Sequence, residues 1–282
     1  MSKKKERDLS LPGLPEALPS PVTDAHTHLG HTIEMTKVPA GELIAIAATV
    51  GVTRLVEVGT DLESSVYAVR VADANPAVVA ALAIHPNDAA RGVAHLEADL
   101  AEIERLLSSS TRVRAVGETG LDYFRTLTSA GQKVQRETFA AHIDLAKRFD
   151  LPLVIHERDA HYSVLDVLDA EGCPEKVMMH CFSGDAEFAK ACLDRGFWLS
   201  FPGTITFKPN EFLREALRVT PQNKVLVETD APFLTPMPYR GRPNASFLIP
   251  VTVRFMARHR GDDLAGLCAA LHQNATDFFG DW

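Results

Sequence analysis

The stretch VTDAHTH, residues 22–28, is the first of eight short apolar runs, several of which end in histidine or acidic residues. Most of these runs are near-continuous Val, Ile, Leu and Ala rather than strictly alternating with polar residues. That pattern is typical of strands that are covered on both faces, as in a parallel sheet. The seven further runs are residues 54–60, 78–85, 113–118, 152–156, 176–181, 197–202 and 224–230.

Helical patterns separate the apolar runs. Residues 96–107, LEADLAEIERLL, place apolar side chains at helical spacing. Residues 61–74 follow Thr60, which stands three positions before Glu63 and therefore fits a capping box. Eight strand–helix units in about 260 residues are the number and length expected of a (β/α)₈ TIM barrel.

The sequence therefore predicts an α/β protein with one TIM-barrel domain over residues 22–282. Residues 1–21, which are rich in proline and begin with basic residues, are predicted to be a flexible tail. The alternative is an open doubly wound sheet, but the chain shows no break in composition and no glycine-rich phosphate loop that would favour it.

Composition and charge limit the possible functions. The 282 residues carry a formal net charge of −8, which argues against non-specific coating of duplex DNA by a broad basic surface. A nuclease is still compatible with this charge, because bound metal ions neutralise phosphates locally. The longest apolar run, residues 43–50, is too short to span a bilayer, and the four cysteines include no CxxC pair. We expect a cytoplasmic monomer without a membrane partner.

Histidine and acidic side chains stand at the ends of five of the predicted strands. In a barrel they would meet at the C-terminal face, where barrel active sites lie. Side chains repeat every two residues on one face of a strand, so the HxH pair at residues 26 and 28 can point to one ion. The predicted ligands are His26, His28, Glu118, His156, His180 and Asp230.

Four imidazoles and two carboxylates are too many for one tetrahedral ion, and they suit two divalent ions that share a bridging carboxylate. Glu118 is the natural bridge, since its strand lies between those that supply the other ligands. We expect one ion to bind His26, His28 and Asp230, and the other to bind His156 and His180. The ions could be Zn²⁺, Mn²⁺ or Mg²⁺, and the imidazole-rich set favours zinc or manganese.

Several sequence blocks carry a resemblance to a known family. They are DAHTHL (24–29), GETGLDYF (117–124), IHERDA (155–160), HCFSG (180–184), SFPGTITFK (200–208), ETDAPFLTP (228–236), PYRGRPN (238–244) and NATDFF (274–279). Together they resemble the TatD-type metal-dependent deoxyribonucleases, a branch near the amidohydrolases, from about Asp24 to Phe279. The ligands of that family fall on the same six residues. This chain differs in having Gly30 and His31 where the family often has an aspartate.

The resemblance implies hydrolysis of phosphodiester bonds in DNA, with RNA as a second substrate. A water activated by two metals would attack phosphorus, with Asp230 accepting its proton. A narrow barrel mouth suits a strand end or a single strand better than the middle of a duplex, and the resemblance implies a 3′-to-5′ exonuclease acting on single strands. The predicted contacts to the substrate are Arg158, His85, Arg240 and Arg242.

Two alternatives stay open at this point. The same pair of ions could cleave a small amide or ester, in which case an apolar and neutral mouth would be expected. A protein that had become a binding module on this fold would be expected to lose at least one ligand, and none of the six is missing.

Overall fold

The computed structural model describes residues 8–92 and 94–282. Its eight strands form one parallel sheet in the order of the chain. A bridge between Thr27 and Ala231 joins the two ends of the sheet. The predicted (β/α)₈ barrel is confirmed. The strands are β1 (Val22–Thr27), β2 (Val52–Val58), β3 (Val78–Leu82), β4 (Val113–Asp122), β5 (Leu153–Arg158), β6 (Val177–Met179), β7 (Trp198–Phe201) and β8 (Val225–Val227).

Helices surround the strands and connect them. Helix α3 does not begin with the predicted capping box, because the side chain of Asp61, not Thr60, accepts from the backbone of Ser64 at 2.8 Å. The helices are α1 (Leu29–Thr36), α2 (Ala40–Thr49), α3 (Leu62–Ala74), α4 (Pro86–Arg91), α5 (Leu96–Leu107), α6 (Ser129–Phe149), α7 (His161–Glu171), α8 (Ala186–Leu193), α9 (Glu211–Val219), α10 (Ile249–Arg260) and α11 (Leu264–Phe279).

The apolar core has two main layers. The larger cluster lies between the strands and the surrounding helices. A smaller cluster takes residues from seven of the eight strands, among them Val56, Val79 and Val154, and therefore fills the inside of the barrel. The end of α11 adds Phe278 and Phe279 to that inner cluster. The chain terminus thus closes the N-terminal end of the barrel and leaves the opposite end for a site.

The segment before β1 was predicted to be a flexible tail. Residues 1–7 lie outside the described residues, but from residue 8 onward the segment contacts the barrel. Leu18 is buried in the main core, and its backbone N–H donates to Val50 O at 3.0 Å. Arg254 donates to Ala17 O at 2.9 Å. Residues 8–21 are therefore packed on the domain rather than detached from it. Within the described residues, no helix has both the length and the apolar character needed to cross a membrane.

Candidate metal centre

The structure brings all six predicted ligands together at the C-terminal end of the barrel. Each comes from the C-terminal half of a strand or from the residue or loop that follows it, so the six side chains converge at one end of the barrel. His26 lies in β1, Glu118 in β4 and His156 in β5, whereas His28, His180 and Asp230 follow β1, β6 and β8. The candidate groups for a metal ion include His26–His28–Glu118 and His26–His180–Asp230.

Glu118 divides its two oxygens between two sets of ring nitrogens. Its Oε2 lies 3.4 Å from His26 Nε2 and 3.8 Å from His28 Nε2. Its Oε1 lies 2.7 Å from His156 Nδ1 and 3.3 Å from His180 Nε2. This is the arrangement expected of a carboxylate that bridges two cations.

The spacing of the donor atoms fits a divalent ion. Ligands at about 2.0–2.1 Å from a tetrahedral ion stand about 3.4 Å from one another. The Nε2 atoms of His26 and His28 are 3.3 Å apart, and Asp230 Oδ1 is 3.4 Å from His28 Nε2. Two imidazole nitrogens that face each other so closely need a proton or a cation between them. The donor set is therefore suited to the metal that it was predicted to hold.

In three of the four histidine ligands, the nitrogen that faces away from Glu118 has a partner that sets the orientation of the ring. His28 Nδ1 lies 2.9 Å from Val58 O and so carries the proton, which leaves Nε2 free for a metal. His180 Nδ1 lies 2.8 Å from Glu228 Oε1. His156 Nε2 lies 3.2 Å from Asp122 Oδ2. Each of these rings thus turns its other nitrogen towards Glu118.

Sequence reasoning missed the two carboxylates among these partners. Asp122 follows Glu118 by four residues and is 1% exposed, and Glu228 precedes Asp230 by two residues and is 0% exposed. The available indication was the presence of acidic residues inside otherwise apolar strand ends, where an ionised group needs a partner. Such a residue is a candidate for orienting a ligand even when it is not one itself.

The charged surroundings shift the pKa of each ring. Burial, followed by the charge of His180, lowers the pKa of His26 to about 4. Burial would also lower the pKa of His28, but the hydrogen bond and charge of Asp230 outweigh it and raise that pKa to about 9. For His156 burial is again outweighed, here by hydrogen bonds to Asp122 and Glu118, and its pKa rises to about 9.

His85 joins the cluster but differs from the other histidines. Its Nε2 lies 3.5 Å from Glu118 Oε1, and His85 forms a candidate metal group with Glu118 and His156. However, its Nδ1 accepts a hydrogen bond from the backbone N–H of Asn87 at 3.1 Å. The neutral ring therefore carries its proton on Nε2, so the atom that faces the cluster is a donor. This is consistent with the predicted contact to the substrate rather than a metal ligand.

A glycine next to Glu118 allows β4 and β5 to approach closely. Gly120 is paired with His156 and has a φ of +138°, a conformation that side chains other than glycine rarely adopt. A Cβ atom at this position would lie 2.1 Å from His156 O. Gly120, the second glycine of the GETG sequence, thus helps to place the Glu118 carboxylate beside the His156 ring.

A cleft of about 610 Å³ opens above the cluster. Of the three arginines predicted to bind phosphate, only Arg158 is among its lining residues, with its guanidinium 3.7 Å from the centre of the Phe124 ring. Arg240 instead lies over Phe207, and Arg242 binds the N-terminal segment through Ser10 O at 3.1 Å. Two arginines that are not among the predicted contacts also line the cleft. They are Arg91 and Arg125.

The sequence matches the TatD related DNase family over residues 23–280. The chain belongs to the TatD family. A TatD relative from Mycobacterium tuberculosis, described as an uncharacterized metal-dependent hydrolase, is 47% identical over 84% of this chain and 89% of its own. A relative from Citrobacter rodentium, named 3′-5′ ssDNA/RNA exonuclease TatD, is 33% identical over 85% of this chain and 91% of its own.

Solved structures agree with the TatD fold. A TatD homologue from Escherichia coli K12 superposes with a TM-score of 0.82 at 25% identity, covering 93% of this chain and 98% of that one. A phosphotriesterase homology protein from E. coli, with phosphate in its active site, superposes with a TM-score of 0.67 at 16% identity, over 93% and 99% of the two chains. The second likeness concerns the fold alone. As a member of the TatD family, this chain is a metal-dependent hydrolase.

Proposed function

We propose that this chain is a metal-dependent exonuclease that removes nucleotides from the 3′ end of single-stranded DNA, with RNA as a second substrate. The observation that carries the proposal is the division of the Glu118 oxygens between two sets of ring nitrogens, beneath a mouth lined by arginines. Two cation positions and a cationic rim suit the negative charge of a phosphodiester. The exonuclease name of the C. rodentium relative supports the polarity and the strand type.

Each part of the site has a role in this reaction. Divalent ions bound at the cluster would lower the pKa of water and offset the charge that develops on the phosphate. Asp230 faces the cleft with its side chain 16% exposed, so it can orient a water molecule and accept its proton. The Nε2–H of His85 can donate to a phosphate oxygen, and the guanidinium of Arg158 can pair with another.

Asp230 is suited to this role because its carboxylate stays ionised. Burial alone would raise the pKa of Asp230, but the hydrogen bond to His28 and the charge of His180 outweigh it and lower that pKa. An ionised carboxylate can receive the proton that water loses as it attacks phosphorus.

The proposal can be tested with a 5′-labelled single-stranded oligonucleotide. The expected products of the purified protein form a ladder that shortens from the 3′ end, while a circular single strand of the same composition is left intact. Chelation should abolish the ladder, and refilling with Zn²⁺, Mn²⁺ or Mg²⁺ should restore it. Activity that survives complete removal of metal, or equal cleavage of the circle, would refute the proposal.

The alternative is hydrolysis of a small amide or ester by the same cluster. It predicts a neutral mouth, whereas Arg91, Arg125 and Arg158 line this one. Assays of the refilled protein with small amide and ester substrates, beside the oligonucleotide, separate the two functions. Turnover of those substrates with no cleavage of DNA or RNA would favour the alternative.

A further inference from the structure

The two sides of the cleft carry different chemistry. One side carries Arg91, Arg125 and Arg158, which we call the arginine rim. Arg91 and Arg125 follow strands β3 and β4, and Arg158 is the last residue of β5. On the other side Phe212, Phe233 and Leu234, which we call the apolar rim, follow β7 and β8. In a barrel of eight strands in sequential order, β4 lies across from β8. The two rims therefore face each other across the mouth.

Phe233 is an exposed ring on a fixed backbone. The residue is 45% exposed, although burial of a phenylalanine side chain is favourable. Its backbone N–H donates to Asp230 O at 2.9 Å, and Asn244 Nδ2 donates to its carbonyl at 2.7 Å. The loop that follows β8 thus presents this ring to the cleft in a defined position. An aromatic ring exposed in a cleft offers a face on which a base can stack.

The Phe233 ring lies close to the metal centre. Its centroid is 6.2 Å from that of His31, with 53° between the planes. The His31 ring in turn is 5.6 Å from the ring of His28, one of the six ligands. The His31 ring therefore separates Phe233 from the ligand His28. At this distance, Phe233 is within reach of the nucleoside attached to a phosphate held at the metal cluster.

We infer that the His31–Phe233 pair is a nucleobase subsite, in which the base beside the scissile phosphate stacks on Phe233 while the sugar–phosphate backbone follows the arginine rim. This inference rests on the proposed function and adds the substrate contact that selects an unpaired strand. A base in a duplex is already stacked and paired, so it can reach Phe233 only after it leaves the helix. Stacking on an aromatic side chain tolerates all four bases, because each has a π-face.

The test uses single-stranded oligonucleotides that are intact or that carry one abasic residue, at the 3′-terminal or at the penultimate position. For the wild-type protein we expect kcat/KM to fall about tenfold on one of the two abasic strands, the scale of one base–aromatic stack. The Phe233→Ala change should lower kcat/KM by about the same factor on the intact strand. It should cause no further decrease on that abasic strand.

Two variants separate stacking from packing. Phe233→Tyr keeps the aromatic face and should stay close to wild type, whereas Phe233→Leu keeps apolar volume and should behave like Phe233→Ala. The matched control is Tyr162→Ala. Tyr162 is an aromatic residue that is 57% exposed and is not among the residues lining the cleft, so this change should leave kcat/KM unaltered on every strand. Fluorescence anisotropy of the metal-free variants with the same strands provides a second readout, in which Kd should shift by a similar factor.

The outcomes distinguish this subsite from the proposed function. If the wild-type protein cleaves no strand, the exonuclease assignment fails and the subsite fails with it. The wild-type protein could degrade the intact strand while Phe233→Ala lowers kcat/KM by the same factor on the intact strand and on both abasic strands. In that case only the subsite is wrong. Wild-type behaviour of Phe233→Leu would likewise overturn it, since apolar packing alone would then suffice.

Discussion

The donor atoms on the two sides of Glu118 are held by different partners. On the Oε2 side, His28 is fixed by the backbone oxygen of Val58, and His26 Nδ1 is buried without a hydrogen-bond partner among the described residues. On the Oε1 side, His156 and His180 each face a buried carboxylate, Asp122 or Glu228. We call these the backbone-held side and the carboxylate-held side.

This difference predicts distinct chemistry at the two proposed cation positions. A carboxylate partner makes an imidazole a more basic ligand and strengthens its bond to a cation. It also stabilises the protonated ring when no cation is present, so His156 and His180 should exchange protons for metal, as should His28 through its hydrogen bond to Asp230. The backbone-held side instead relies on Asp230, which is both a candidate ligand and the proposed proton acceptor.

The largest effect is expected from the residue that both sides share. Glu118→Gln keeps the shape of the side chain but removes the charge that two cations would share. We expect hydrolysis to fall to background and metal content, measured by plasma mass spectrometry, to fall below one ion per chain. Circular dichroism should show an unchanged fold. A variant with two bound ions and full activity would mean that Glu118 is not a bridge.

Asp230→Asn should affect the backbone-held side alone. The amide keeps one oxygen that can bind a cation, but it cannot accept a proton from water. We expect kcat to fall about a hundredfold to a thousandfold, with the carboxylate-held side still occupied. Steady-state kinetics together with metal analysis check this expectation. Activity within a few fold of wild type would remove Asp230 from the chemical step.

Metal binding should depend steeply on pH. His28 and His156 both have a pKa of about 9 in the metal-free chain, so both are protonated at neutral pH and must lose a proton to bind metal. Burial would lower the pKa of His180, but the charges of Glu228 and Glu118 outweigh it and raise that pKa well above its ordinary value, so this ring must lose a proton too. Metal affinity should therefore rise with pH up to about 9 and fall below it by about tenfold per pH unit for each displaced proton. Calorimetry in two buffers with different ionisation enthalpies counts the protons released. No release at pH 7 would contradict the expectation.

Asp122→Asn tests the carboxylate-held side directly. The change removes the charge that helps to hold the His156 ring and leaves the ligands themselves in place. We expect the affinity of one ion to fall about tenfold to a hundredfold while the other is unchanged, with fewer protons released on binding. Asp159→Asn, at an exposed position beside β5, is the matched control. An equal loss at both ions would show that the two sides do not act separately.

The fold and the donor cluster could be predicted because they depend on local patterns. Near-continuous apolar runs predicted the strands, and the polar residue at the end of each run predicted which side chains converge. The partners of those side chains depend on contacts between distant segments. No local pattern places Asp122 against His156, and Arg242 looked free to bind phosphate because residues 10 and 11 are more than 200 positions away. Asp61 caps α3 because the chain enters that helix one residue later than the capping-box pattern indicates.

The smallest effect is expected from His85, which lies on the carboxylate-held side but is fixed by a backbone N–H. Because Asn87 donates to its Nδ1, the ring presents a proton rather than a lone pair to Glu118. His85→Ala should therefore keep the metal content of the wild type, and kcat/KM should fall about tenfold through the loss of one donor to the phosphate. Loss of an ion in this variant would instead make His85 a third ligand on that side. The two cation positions would then have the same number of ligands and would differ only in what holds them.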